Sequence, residues 1–202
     1  MKTNKKIFGI RAESLIETIV AVTVIAIGAT AAGVMVRTSL AGVEISQDRM
    51  LALNLAREGI EAVRNIRDTN WLRYSGNADA CWNTWYGTDI TDCEDNLIAE
   101  DYYAIMLDMD TLEYYLLDVG YTDVMSNSDY LVYECEITGS SGSGTIYATP
   151  SDTTSCTDST FQRMVEITYE NSDLMSVTST VGWIDSSGTA KQVSLTEKIG
   201  NW

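Results

Sequence analysis

The sequence predicts an α+β protein: a long N-terminal helix followed by a C-terminal antiparallel β-sheet. Three observations carry this reading. Pro is absent from residues 13–70, and apolar residues there first run together, then recur at spacings of three and four. Beyond Trp71 that period stops, and short alternating segments follow, separated by Gly, Ser, Asn and Asp. The charge divides in the same way. Residues 1–12 hold four bases and no acid, residues 13–74 hold six Arg against seven acids, and residues 75–202 hold three bases against 22 acids.

The helix divides into two halves. Leu15–Val36 is 22 residues long with one charged side chain, Glu17. At 1.5 Å per residue it spans about 33 Å, enough to cross a bilayer core. Lys5, Lys6 and Arg11 precede it, so the positive-inside rule puts the N-terminus in the cytoplasm and the acidic bulk outside. From Gln47 to Asp68 the apolar and small residues Ala52, Ala56, Gly59, Ile60, Val63 and Ile66 form one face. Arg57 with Glu61, and Arg64 with Asp68, stand at i,i+4 as ion pairs of the polar face. Together these predict one helix from Glu13 to about Asn70. Gly28, Gly33 and Gly42 interrupt it, either for close helix–helix contact or as a stretch that unwinds.

The head is residues 71–202. Residues 75–101, with Trp82, Trp85, Gly76 and Gly87, read as an elaborated surface loop. Strands are predicted at 102–107, 112–119, 130–138, 162–169, 174–184 and 191–195. The run 139–144 reads as a Gly/Ser loop, and Asp185-Ser186-Ser187-Gly188 as a hairpin turn. An antiparallel sheet stacked on the second half of the helix is the simplest arrangement.

Composition narrows the chemistry. There is no His, which removes the commonest general base and metal ligand and the Ser-His and Cys-His hydrolase pairs. No catalytic constellation and no metal or cofactor site emerges, so the chain reads as a non-enzyme. The acidic head argues against nucleic-acid binding, which needs clustered bases. Asp89, Asp92, Glu94, Asp95, Glu100 and Asp101 suit either a solvated acidic face or a calcium cluster, without an EF-hand pattern. Trp82, Trp85, Tyr86, Tyr102 and Tyr103 suit either loop packing or a sugar-binding patch. Cys81, Cys93, Cys135 and Cys156 all follow the apolar segment, as disulfides in an oxidising exterior would. Four cysteines allow three pairings. The pairs nearest in sequence, Cys81–Cys93 and Cys135–Cys156, are the expected ones.

A carboxylate inside an apolar helix is costly in lipid unless it gains a partner. A new amino terminus at Glu13, four residues before Glu17, would supply one. The run Arg11-Ala12-Glu13-Ser14-Leu15-Ile16-Glu17, followed by apolar residues, resembles the prepilin signature of type IV pilins and type II secretion pseudopilins. That resemblance implies a basic leader, residues 1–12, removed by a prepilin peptidase between Ala12 and Glu13, with N-methylation of Glu13. It implies a role for Glu17 in assembly. It also implies residues 13–36 as transmembrane and filament-core helix, residues 37–70 as the half packed on the head, and 71–202 as an acidic β-rich head. The implied partners are copies of the chain and other pilins, the peptidase and an assembly machinery. The implied location is the bacterial inner membrane, then a surface filament. Two positions depart from the usual pattern: Ala12 stands where Gly is usual, and Glu13 where Phe is usual, which points to a variant or minor-type subunit. Three alternatives remain: a secretory signal with Ser39-Leu40-Ala41 as its cut site, a pseudopilin, and a membrane-anchored binding or adhesion domain that never polymerises.

Overall fold

A computed structural model describes residues 13–85, 93, 96–108, 111, 113–139, 142–150 and 156–201, of which 13, 14, 137–139 and 142–144 are described by backbone alone. The leader 1–12 with Arg11 and Ala12, the acids Asp89, Asp92, Glu94, Asp95 and Asp110, Tyr86 and residues 151–155 lie outside the described residues. Helix α1 runs from Glu13 to Arg73, and the chain divides within it into two compact units, Met1–Ser46 and Gln47–Trp202.

In the first unit α1 is exposed throughout its described side chains: Leu15, Ile16, Ile25 and Met35 are each 66–73% accessible. The helix therefore owes nothing there to a core of its own. It is held by backbone bonds and by an apolar sequence free of Pro.

The second unit is the head. Here α1 buries Ala52, Ala56, Ile60, Val63 and Ile66, from the stripe legible in the sequence, now joined by Leu55 and Ala62. The helix ends where Tyr74 N–H bonds Asn70 C=O at 2.8 Å and Asn77 N–H bonds Tyr74 C=O at 2.8 Å, a tightening last turn at Ser75-Gly76. A short helix, α2, follows at Ala78–Cys81. Glu61 pairs with Arg64 and Arg67 with Asp68, in place of the Arg57–Glu61 and Arg64–Asp68 partnering that the i,i+4 spacing suggested. Arg64 is drawn instead toward the sheet, where Glu197 also meets it.

The strands are β1 (Asp101–Leu107), β2 (Tyr114–Asp118), β3 (Leu131–Gly139), β4 (Gly142–Ala148), β5 (Cys156–Asn171), β6 (Leu174–Ile184) and β7 (Ala190–Gly200). Every named strand pair is antiparallel. The 16-residue β5 organises the sheet. One side pairs with β6, which pairs with β7. The other side is shared end to end: Cys156–Gln162 faces β3, and Val165–Ile167 faces β1. The described residues of the predicted Gly/Ser loop at 139–144 are thus strand, since Gly139 ends β3 and β4 starts at Gly142, closing a hairpin with β3. The β6–β7 turn is held by Asp185, whose Oδ1 accepts from the N–H groups of Ser187 at 3.0 Å and Thr189 at 2.9 Å, with Gly188 at φ 79°. The Ser187 hydroxyl, then the Thr189 N–H, hold the Asp185 carboxyl below its ordinary range.

Alternation gives β5 two faces. Phe161, Val165 and Ile167 pack under α1 with Val177, Val181 and Trp183 of β6. Met164 turns the other way, onto Ala104, Val124 and Tyr130. Segment 119–130 covers that rear face, and Gly182 makes room for it: a Cβ there would meet Met125 Sδ at 2.7 Å and Val124 Cγ1 at 2.8 Å.

On the front face Gly59 sets the distance between helix and sheet. A Cβ at 59 would be driven into the Ser179 hydroxyl, and would stand 3.1 Å from Ser179 Cβ and 3.3 Å from Arg163 Cδ. Ser179 Cβ is fixed to the strand backbone and cannot yield as a flexible side-chain tip does. Gly59→Ala is expected to destabilise the head by about 1–3 kcal/mol, although Ala favours helix by about 1 kcal/mol. Denaturant unfolding of both proteins measures it; an unchanged or raised midpoint would mean the helix can lift off Ser179 at no cost.

Candidate functional site

Among the described side chains of the first unit, the polar groups are few, and the threonines are self-contained. Thr18, Thr23, Thr30 and Thr38 each donate their hydroxyl to a carbonyl three or four residues earlier, at 2.7–3.2 Å. A hydroxyl satisfied by its own helix needs neither water nor a neighbour. Glu17 differs. Like Arg37 and Glu44 it is exposed and has no hydrogen-bond or ionic partner among the described residues, but unlike them it lies inside the apolar run. Glu13 opens α1, so a main-chain nitrogen at Glu13 stands one turn before Glu17 on the same helix. The side chain of Glu13 and all of Ala12 lie outside the described residues. The helix is long and apolar enough to cross a membrane.

The second unit ties its part of α1 to the sheet with charge. Arg163 faces the helix from β5, its side chain 1% exposed, and its Nη1 lies 3.1 Å from Glu58 Oε2 and 3.4 Å from Leu55 O. Tyr114 donates to Glu58 Oε1 at 3.5 Å. Burial, and then the Glu58 charge, push the Tyr114 phenol above its ordinary pKa. Arg67 Nη1 donates to Gly200 O at 2.8 Å, fastening the last strand to the helix. Sequence reasoning passed over Arg163. Its signal was there: it interrupts Phe161, Val165 and Ile167 on the apolar face of an alternating strand.

Cys81 bonds Cys93, with Cα atoms 5.4 Å apart, and Cys135 bonds Cys156, 4.1 Å apart. The second bridge joins directly opposed residues of β3 and β5, so it staples two paired strands around β4 and does not close a loop. Trp82 and Tyr103 are buried in the main core, Trp85 packs against it, and the Trp85 and Tyr103 rings meet edge to face at 5.5 Å. These three rings therefore serve packing. Tyr102 is half-buried on the sheet and donates to Glu166 Oε1 at 3.2 Å. The Glu166 charge, the largest influence, raises the Tyr102 phenol above its ordinary pKa. Tyr169 knits the loop to β5: its hydroxyl donates to Ile98 O at 2.8 Å and accepts from Asn83 Nδ2 at 2.9 Å. Of the acidic run, Glu100 accepts the Tyr169 N–H at 2.6 Å, and Asp101 accepts the Tyr102 N–H at 2.8 Å. Among the described residues no three acids or thiols converge as metal ligands.

The candidate surface these features leave is α1 itself: an uncovered apolar helix with Glu17 inside its apolar run, and a disulfide-stapled acidic head fastened to the helix that continues from it. No protein-family model, no curated protein and no solved structure matches this chain.

Proposed function

We propose that the chain is a structural subunit, major or minor, of a type IV pilus-like surface filament, made as a membrane-anchored precursor and cut before Glu13 by a prepilin peptidase. The observation that carries this reading is Glu17, a carboxylate without a partner one turn inside an exposed apolar helix. In an ordinary anchor that residue is a liability with no return. In a bundle of identical helices it has a use, because the amino terminus made by the cut is a cation within a turn's reach.

Other features support the same reading. The basic leader and acidic head give the chain a fixed sense across a membrane. The disulfides suit an exterior compartment. The helix has apolar surface to bury against other copies once it leaves lipid. The partners on this reading are copies of the chain, other pilins, the peptidase and an assembly machinery. The chain itself performs no chemistry. A pseudopilin would share all of this and differ in forming a short secretion piston.

Processing tests the reading. The mature chain in membrane material is expected to begin at Glu13, with the mass of residues 1–12 missing, as intact-mass analysis would read. A chain that retains Met1 would leave a plain anchor. A chain that begins at Gly42 would make the apolar segment a secretory signal, and would end the filament reading.

A further inference from the structure

The last strand leaves one edge of the sheet open. β7 pairs with β6 without a bulge, from Leu174↔Gly200 to Ile184↔Ala190. Among the described residues no strand lies on its far side. The direction of its backbone groups follows from the flanking bonds. Asp185 N–H donates to Thr189 O, and Asn201 N–H to Asp173 O, so the odd-numbered residues of β7 bond inward to β6. The outward N–H and C=O groups belong to Ala190, Gln192, Ser194, Thr196 and Lys198. An open edge of this length is a template for another strand.

We propose that this edge binds the same edge of a second copy, antiparallel and centred on Ser194. Outward groups must meet outward groups, so even residues face even ones. Among such registers, only the one centred on Ser194 sets Lys191 opposite Glu197, and two-fold symmetry makes that pair twice. The same register sets Val193 opposite Leu195, also twice. Both kinds of pair fall at non-hydrogen-bonded positions, where Cα atoms are about 4.5 Å apart and cross-strand side chains touch most closely. Val193 and Leu195 are only half-buried in the single chain, so each has apolar surface left to cover. Edge lysines usually keep foreign strands away. Here Lys191, 3.7 Å from Asp185 in its own turn, gains a second acid in Glu197, which Arg64 meets through Oε1, and Lys198 is held by Glu170 at 2.5 Å on its own sheet.

The pairing has a consequence for orientation. Within the head, α1 runs in the same sense as β7: Val193 and Leu195 belong with Ala52 and Leu55, whereas Glu197 and Gly200 meet Arg64 and Arg67. Two heads joined antiparallel through β7 therefore have these helix segments pointing in opposite directions. Copies inserted in one membrane share one sense and cannot pair this way along a single fibre. The contact belongs between fibres, or between cells, and on the filament reading it makes β7 a lateral self-adhesion edge.

Cysteine scanning of the full chain in detergent micelles tests the register. Micelles leave orientation free, so the test does not depend on fibre formation, which is scored separately in sheared material. Wild type has no free cysteine. Under mild oxidation Ser194→Cys is expected to give disulfide dimers. Gln192→Cys and Thr196→Cys are expected to stay monomeric alone, because each lies four residues, about 13 Å, from its own copy, and to cross-link when mixed. Lys191→Glu added to Ser194→Cys is expected to weaken dimerisation about tenfold, since two attractive pairs become repulsive. Adding Glu197→Lys should restore it. A monomeric Ser194→Cys, equal cross-linking of all three single variants, or no rescue by the charge swap would each overturn the proposal.

Discussion

Glu58→Ala is expected to cost the head about 3 kcal/mol of stability, at the lower end of the range for breaking a buried ion pair. The loss arises at Arg163, not at Glu58. Arg163 is 1% exposed, and without Glu58 its guanidinium keeps only a long bond to Leu55 O. Glu58 itself is 28% exposed, and its contact with water keeps the cost from reaching the upper end. Replacing both partners separates the causes. Arg163→Met with Glu58→Leu removes the charge and keeps the volume, and should recover most of the lost stability. Denaturant midpoints of wild type, single and double variants read the difference. If the double variant is no more stable than Glu58→Ala, the pair matters for shape and not for charge.

The same residue shows where the sequence stops being legible. A single base on the apolar face of a strand can be an error of pattern or a buried ion pair, and only the partner distinguishes them. Glu58 lies 105 positions earlier, on another element, so no local rule connects the two. The long helix was legible because period and composition agree over many residues: the reading ended it near Asn70, and it ends at Arg73. Strand β6 was legible to the residue for the same reason. Strand β4 was not, because Gly142-Ser-Gly144 has almost no side chains to alternate, and its pairing with β3 decides its structure. The first part of β5, Cys156–Phe161, and the last part of β7, Thr196–Gly200, were missed on other grounds. They are mostly polar, and neighbouring strands hold them in the sheet.

Of the candidate site, the long apolar helix was legible, because such a stretch is read from composition and length alone. The fit of helix on sheet was not. Gly59 looked like one small residue in a stripe, and only the position of Ser179 shows that nothing larger fits. The β7 edge was also out of reach, since openness is a property of the whole sheet.

The second large effect concerns Glu17. In a lone anchor, Glu17→Ala is neutral or improves insertion, because a carboxylate in lipid is a penalty. In a filament the sign reverses. Each Glu17 leaves lipid for a dry bundle and meets an amino terminus made at Glu13, on its own chain or on the next. Removing the carboxylate leaves that cation buried alone, at a cost of about 3–5 kcal/mol. Insertion and cleavage depend on the apolar run and the cut site, and should be unaffected. Glu13 stands beside the same amine and competes for it, so Glu13→Phe with Glu17 retained is expected to assemble.

The most direct measurement is the amount of subunit in sheared surface fibres divided by the amount in membranes, for wild type and Glu17→Ala. Wild type is expected in the sheared fraction, with the ratio for Glu17→Ala lower by at least about tenfold and both chains beginning at Glu13. Equal ratios, or a wild-type chain confined to the membrane, would contradict the filament account.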